Sequence, residues 1–135
     1  MGLIGSTGIC RRLNIKPGRF RVWVDQYLEP EVPPDGHGTR TRWHPVDVYV
    51  VAIFLHLITN GFSRRFAARL IKGLSKRLRR EDINSLDLIW MEWDADEVYP
   101  PVFLHYDINT DTARPFPETI LIINFTSIKN MVKED

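Results

Sequence analysis

The sequence predicts an α+β chain. Four helices and a basic hairpin fall within residues 1–80; a three-stranded antiparallel sheet and a short helix fall within residues 81–135. Three observations predict this. Apolar residues recur at helical spacing through Leu74 and alternate in strand fashion after Glu81. Pro17 and Pro45 stand where helices open, while Pro100-Pro101 and Arg114-Pro115-Phe116-Pro117 stand between extended runs. Charge divides at the same boundary: residues 1–80 hold fifteen basic and five acidic side chains, net +10, and residues 81–135 hold three and twelve, net −9.

The elements follow in order. Ser6 and Thr7 can cap a first helix carrying Ile9, Cys10 and Leu13. Asn14-Ile15-Lys16 reads as a turn, and Pro17 opens a second helix running to about Tyr27. Pro30, Pro33, Pro34, Gly36 and Gly38 forbid helix over the next dozen residues. Asp35-Gly36 is a hairpin turn signal, and Thr39 to Trp43 alternates with period two. Pro45 opens a third helix, Val46 to Ile58, apolar nearly all round and therefore buried. Asn60-Gly61 ends it. Ser63 caps a fourth helix, with Phe62, Phe66, Leu70 and Leu74 at helical spacing, continuing to Arg80. Leu86–Trp93, Val102–Tyr106 and Thr119–Phe125 read as strands; Ile128, Met131 and Val132 suggest a terminal helix. The first strand is apolar on both faces, with Leu88 and Trp90 alternating with Ile89, Met91 and Trp93, and Leu86 assigned with Leu88.

Two helices joined by a three-residue turn make a helix-turn-helix, and a hairpin bearing arginines on one side makes it winged. On the second helix, Phe20, Trp23, Val24 and Tyr27 share one face. Gly18 and Val22 centre the other, with Arg19 and Arg21 at its edges. A small residue at the centre admits close approach to a groove floor, and the two arginines reach guanine edges or phosphates. Arg40 and Arg42 point to one side of the hairpin, where they supply sequence-independent phosphate contacts, while Trp43 anchors the other side. Arg11, Arg12 and Lys16 add candidate DNA contacts around the turn. The alternative use of so much positive charge is a basic face docked on the acidic half of the same chain.

These residues resemble the MerR family of transcription regulators over about residues 5–74. Leu13-Asn14-Ile15-Lys16-Pro17-Gly18-Arg19-Phe20-Arg21-Val22-Trp23 is similar to the family's turn and recognition helix. Leu28-Glu29-Pro30 is similar to the start of its wing, and Arg42-Trp43-His44-Pro45-Val46-Asp47 to its basic–aromatic–Ser–x–x–Asp step into the third helix. Leu57 to Ser63 is similar to its Leu–x–x–x–Gly–Phe–Ser turn. Tyr27 stands where the family usually has Gly, and Thr41 where arginine is common. The long dimerisation helix and metal-binding cysteines of the sensor members have no counterpart. The resemblance implies DNA binding by residues 1–80, with 81–135 as a segment for dimerisation or partner binding.

Other chemistries find little footing. One cysteine, Cys10, excludes an internal disulfide and suits a reducing, cytoplasmic compartment. The amino terminus lacks the basic start and apolar stretch of a signal peptide, and the 13-residue apolar run at Val46–Ile58 is too short for a membrane span. His37, His44, His56 and His105 are scattered, and Asp94, Asp96 and Glu97 lack the spacing of a calcium loop. No phosphate loop or nucleophile motif is present, so neither enzyme activity nor a cofactor is expected. The expected function is a homodimeric, sequence-specific binder of double-stranded DNA that regulates transcription. The alternative is a phage- or plasmid-type adaptor that holds DNA through the winged helix and recruits a partner protein through the acidic sheet.

Overall fold

The computed structural model describes residues 2–33, 40–105 and 119–134. The order is β1 (Ile4–Gly5), α1 (Ser6–Leu13), α2 (Pro17–Gln26), β2 (Arg42–Trp43), α3 (Asp47–Thr59), α4 (Arg64–Ile71) and α5 (Leu74–Leu78). A 3-10 turn (Ile83–Ser85) leads to β3 (Leu86–Trp93), β4 (Val102–His105), β5 (Thr119–Asn124) and α6 (Phe125–Met131). The α+β class holds, with one two-stranded and one three-stranded antiparallel sheet among the described residues.

α3 is the centre. Its residues are apolar nearly all round, and α1, α4, α5 and α6 all pack on it. Its start is a reciprocal cap. The His44 N–H donates to Asp47 Oδ2 at 2.9 Å, and the Val46 N–H donates to His44 Nδ1 at 3.2 Å. The helix thus opens at Asp47, after a turn through Pro45, rather than at Pro45 itself. The logic is that of a capping box, with imidazole in place of a hydroxyl. At the other end Gly61 takes φ +96°, closing the helix as expected from Asn60-Gly61. His56, expected in the core, is half-buried beside Asn60.

Three expectations are corrected. Ser6 is the first residue of α1, not its cap; Gly5 takes that position, and the Ser6 hydroxyl accepts the Trp43 Nε1–H at 2.9 Å. The strand pair β1–β2, Ile4 against Trp43 and Gly5 against Arg42, draws Ser6 under the indole. The fourth helix does not continue to Arg80. It breaks at Gly73 (φ +75°), and the redirected chain buries Leu74 and Leu78 as well as Leu70 and Ile71. Leu86 does not share a face with Leu88 and Trp90. A register shift between Leu86 and Leu88 turns it into the core with Ile89 and Met91.

The sheet runs in the order β4-β3-β5. Ile89, Met91, Phe103, Leu121 and Ile123 face the helices, and one buried cluster runs from α1 through α3 to α6. Phe125, expected to end a strand, begins α6 instead and packs on Tyr49 of α3, with ring centroids 5.6 Å apart. Asn124 caps α6 by accepting the Ser127 N–H at 3.2 Å. Phe62 and Phe66 meet Trp93 edge-on. The two halves are therefore joined by apolar and aromatic contact, and the ion pair Arg79–Glu31 lies within the basic half. The Asp35-Gly36 turn, Thr39, Tyr106 and the Arg114–Pro117 break lie outside the described residues.

Candidate nucleic-acid interface

α2 is seated by aromatics. Phe20 and Trp23 are 2% and 1% exposed. Phe20 meets Trp43 at 5.4 Å, Trp23 meets Phe54 edge-on at 5.2 Å, and Tyr27 approaches Phe54 at 6.0 Å. The turn before it is tight: Asn14 adopts a left-handed conformation (φ 54°), and the Ile15 N–H returns to Cys10 O at 2.9 Å. Ile15 is buried there, so the angle at which α2 leaves α1 is held by packing.

The opposite face of α2 is open. Lys16, Gly18, Arg19, Arg21, Val22, Asp25 and Gln26 are all exposed, Val22 at 49%. A Cβ added at Gly18 would meet nothing within 4 Å, so the fold itself does not require glycine there. Arg19 lies with Cζ 4.7 Å from the Trp23 ring centroid, a cation–π contact that holds its guanidinium at one edge of the face. Arg21 stands at the other edge, lining a cavity of about 340 Å³ with Cys10, Phe20 and Thr41. Burial pushes the Cys10 thiol up, which keeps it protonated and inert.

Thr41 in that cavity places the Arg40–Arg42 stretch beside α2. Arg40 and Arg42 are exposed while Trp43 is buried, as the alternation predicted. Val32 and Arg42 each donate an N–H to the other's carbonyl at 3.0 Å, and Arg42 also pairs with Gly5. Arg42 is thus the middle of a short three-way ladder that fixes the base of the hairpin. Arg11 is exposed on the last turn of α1. Arg12 is drawn elsewhere: its Nε donates to Lys133 O at 3.0 Å, and the Lys133 N–H donates to Arg12 O at 2.9 Å. It ties the end of the chain to α1.

Sequence reasoning passed over Asp25 and Gln26. Both lie seven or eight residues beyond Gly18, on the same helical stripe, and that spacing was the available signal. Among the described residues, no group of three or more His, Cys, Asp or Glu side chains could hold a metal ion, and no helix is long and apolar enough to cross a membrane. The chain matches no protein-family model and no curated protein sequence.

Proposed function

We propose that the protein binds double-stranded DNA, with α2 reading the major groove and the Arg40–Arg42 hairpin clamping phosphates as a wing. This is the MerR-like reading of residues 1–80. One observation carries it. A helix locked on one side by Phe20 and Trp23 presents on its other side a flat centre, Gly18 and Val22, edged by Arg19 and Arg21, beside an exposed basic hairpin. Val22 suits a thymine methyl; the arginines suit guanine O6 and N7. The first N–H groups of α2, beside exposed Lys16, have no intrahelical acceptor and suit a phosphate oxygen.

One short helix and one wing contact few base pairs, so the protein acts as a homodimer on a two-fold site and serves as a cytoplasmic transcription regulator. A second reading, the adaptor, draws on the outer face of the sheet, where Ile122 is 53% exposed and Leu88, Trp90, Val102 and Leu104 are half-buried. Titration of random-sequence duplexes at rising salt tests the shared element. Binding should weaken steeply and linearly in log–log form, with a slope near −0.9 for each phosphate neutralised. A salt-independent interaction, or none, would refute it. Enrichment of a palindrome by the protein alone separates the regulator from the adaptor.

A further inference from the structure

Between the end of α2, the start of α3 and the α4–α5 break lies a cleft of about 470 Å³. That volume is in the range of small-molecule sites. One wall is apolar: Leu28, Trp43, Val50, Val51, Ala68 and Ile71. The other is charged, and its groups are unequally served. Asp47, only 3% exposed, accepts the His44 N–H at 2.9 Å and bonds the Ser75 side chain. Burial nonetheless raises its pKa. Glu31 takes Arg79 Nη2 at 2.7 Å, and that guanidinium holds the Glu31 carboxyl below its usual range. The carboxylates therefore have donors. Arg79 Nε, by contrast, is buried and has no acceptor, although Nη2 also reaches Ser75 Oγ at 3.2 Å. Lys72 and Lys76 are exposed at the same cleft. A buried N–H without an acceptor is costly, and what this cleft lacks is acceptors.

We propose that this cleft binds a small organic carboxylate, whose oxygens take Arg79 Nε and the lysine ammonium groups while its carbon skeleton lies on the apolar wall. Two carboxylates and Glu29 also line the cleft, so the anion sits on the lysine side, away from Asp47. The site has a route to the hairpin. A ligand on Arg79 competes with Glu31, and the next residue, Val32, holds Arg42 through both ladder hydrogen bonds. Occupancy then loosens the base of the wing and weakens DNA binding. This consequence rests on the DNA-binding reading above; the binding site itself does not.

The test uses the full chain, with benzoate as probe and the isosteric, uncharged benzamide as control, followed by NMR of the arginine Nε–H resonances. Benzoate should shift the Arg79 Nε–H saturably at millimolar concentration and bind at least about tenfold more tightly than benzamide, as a charge-assisted contact requires. Arg79→Gln should abolish the preference. Since that change also breaks the Glu31 pair, Ala68→Trp serves as the second variant: it fills the cleft, leaves Arg79 in place and should abolish binding with the melting temperature preserved. No saturable shift, equal binding of benzamide, or retained binding in a folded Ala68→Trp protein would overturn the proposal. Added benzoate should then lower duplex affinity; a protein that binds benzoate but no DNA would remove the proposed function and leave the site.

Discussion

α2 and α3 share an aromatic seam, Trp23 and Tyr27 against Phe54, yet α3 buries eight of its thirteen residues and α2 two of its ten. The difference shows which positions the fold consumes. On α3 almost every side chain is a packing group, so its sequence is a statement about the core. On α2 only Phe20 and Trp23 are wholly taken up. Gly18, Arg19, Arg21, Val22, Asp25 and Gln26 meet solvent and are free to serve recognition. Substitutions on the two surfaces should separate stability from binding.

The largest effect belongs to the seam. Trp23→Ala or Phe54→Ala should cost about 3–5 kcal/mol of unfolding free energy, measured by urea denaturation, because each leaves a cavity in a close-packed aromatic cluster. A cost below about 1 kcal/mol would mean that the seam does not hold α2 in place. The open side behaves differently. Arg40→Ala and Arg42→Ala should leave stability within about 0.5 kcal/mol and reduce the salt slope of duplex binding by roughly one unit for each phosphate left without its arginine. A changed base preference with an unchanged slope would make either arginine a reader instead.

Gly18→Ala sharpens the contrast further. The added methyl meets nothing within 4 Å, and alanine is the better helix former, so stability should rise by about 0.5–1 kcal/mol in thermal melts. Gly18→Leu should keep the fold while blocking approach to the groove. A destabilised Gly18→Ala protein would contradict the open face.

The smallest effect is at the start of α3. Asp47 has a folded pKa raised above 3.8 by burial. A raised carboxyl pKa favours the protonated folded state, so this group's contribution is complete below pH 3.8 and falls as pH rises through the folded value. Asp47→Asn keeps an oxygen for the His44 N–H and cannot titrate. Relative to the wild type it should therefore be more favourable at neutral pH than in acid, read as the difference between melting temperatures across that window. An unchanged difference would mean the carboxyl is not desolvated.

Much of this architecture was legible because local signals agreed with packing. Pro17 and Pro45 marked helix starts within two residues, Asn60-Gly61 marked an end, and the Phe20/Trp23 spacing identified the seated face of α2. The misses are places where distant contacts decide. Nothing near Ser6 announces that Trp43, 37 residues away, takes its hydroxyl. Gly73 is compatible with a continuing helix, and only the burial of Leu74 and Leu78 against α3 rewards the break. The bulge that turns Leu86 inward depends on its β4 partner. At the candidate interface, exposure of Gly18, Arg19, Arg21, Arg40 and Arg42 followed from periodicity. The Arg12 tie to Lys133 and the Arg79–Glu31 cleft join residues 121 and 48 positions apart, which no local pattern can show.

The central claim is that the open face of α2 reads bases. Binding-site selection from random duplexes by the wild-type, Arg19→Ala and Arg21→Ala proteins tests it most directly. Each arginine–guanine pair should be worth about 1–3 kcal/mol of discrimination. Each mutant should therefore lose preference at one base pair per half-site, with non-specific affinity and melting temperature nearly unchanged. Full sequence preference retained by both mutants would contradict the claim and remove α2 from the groove.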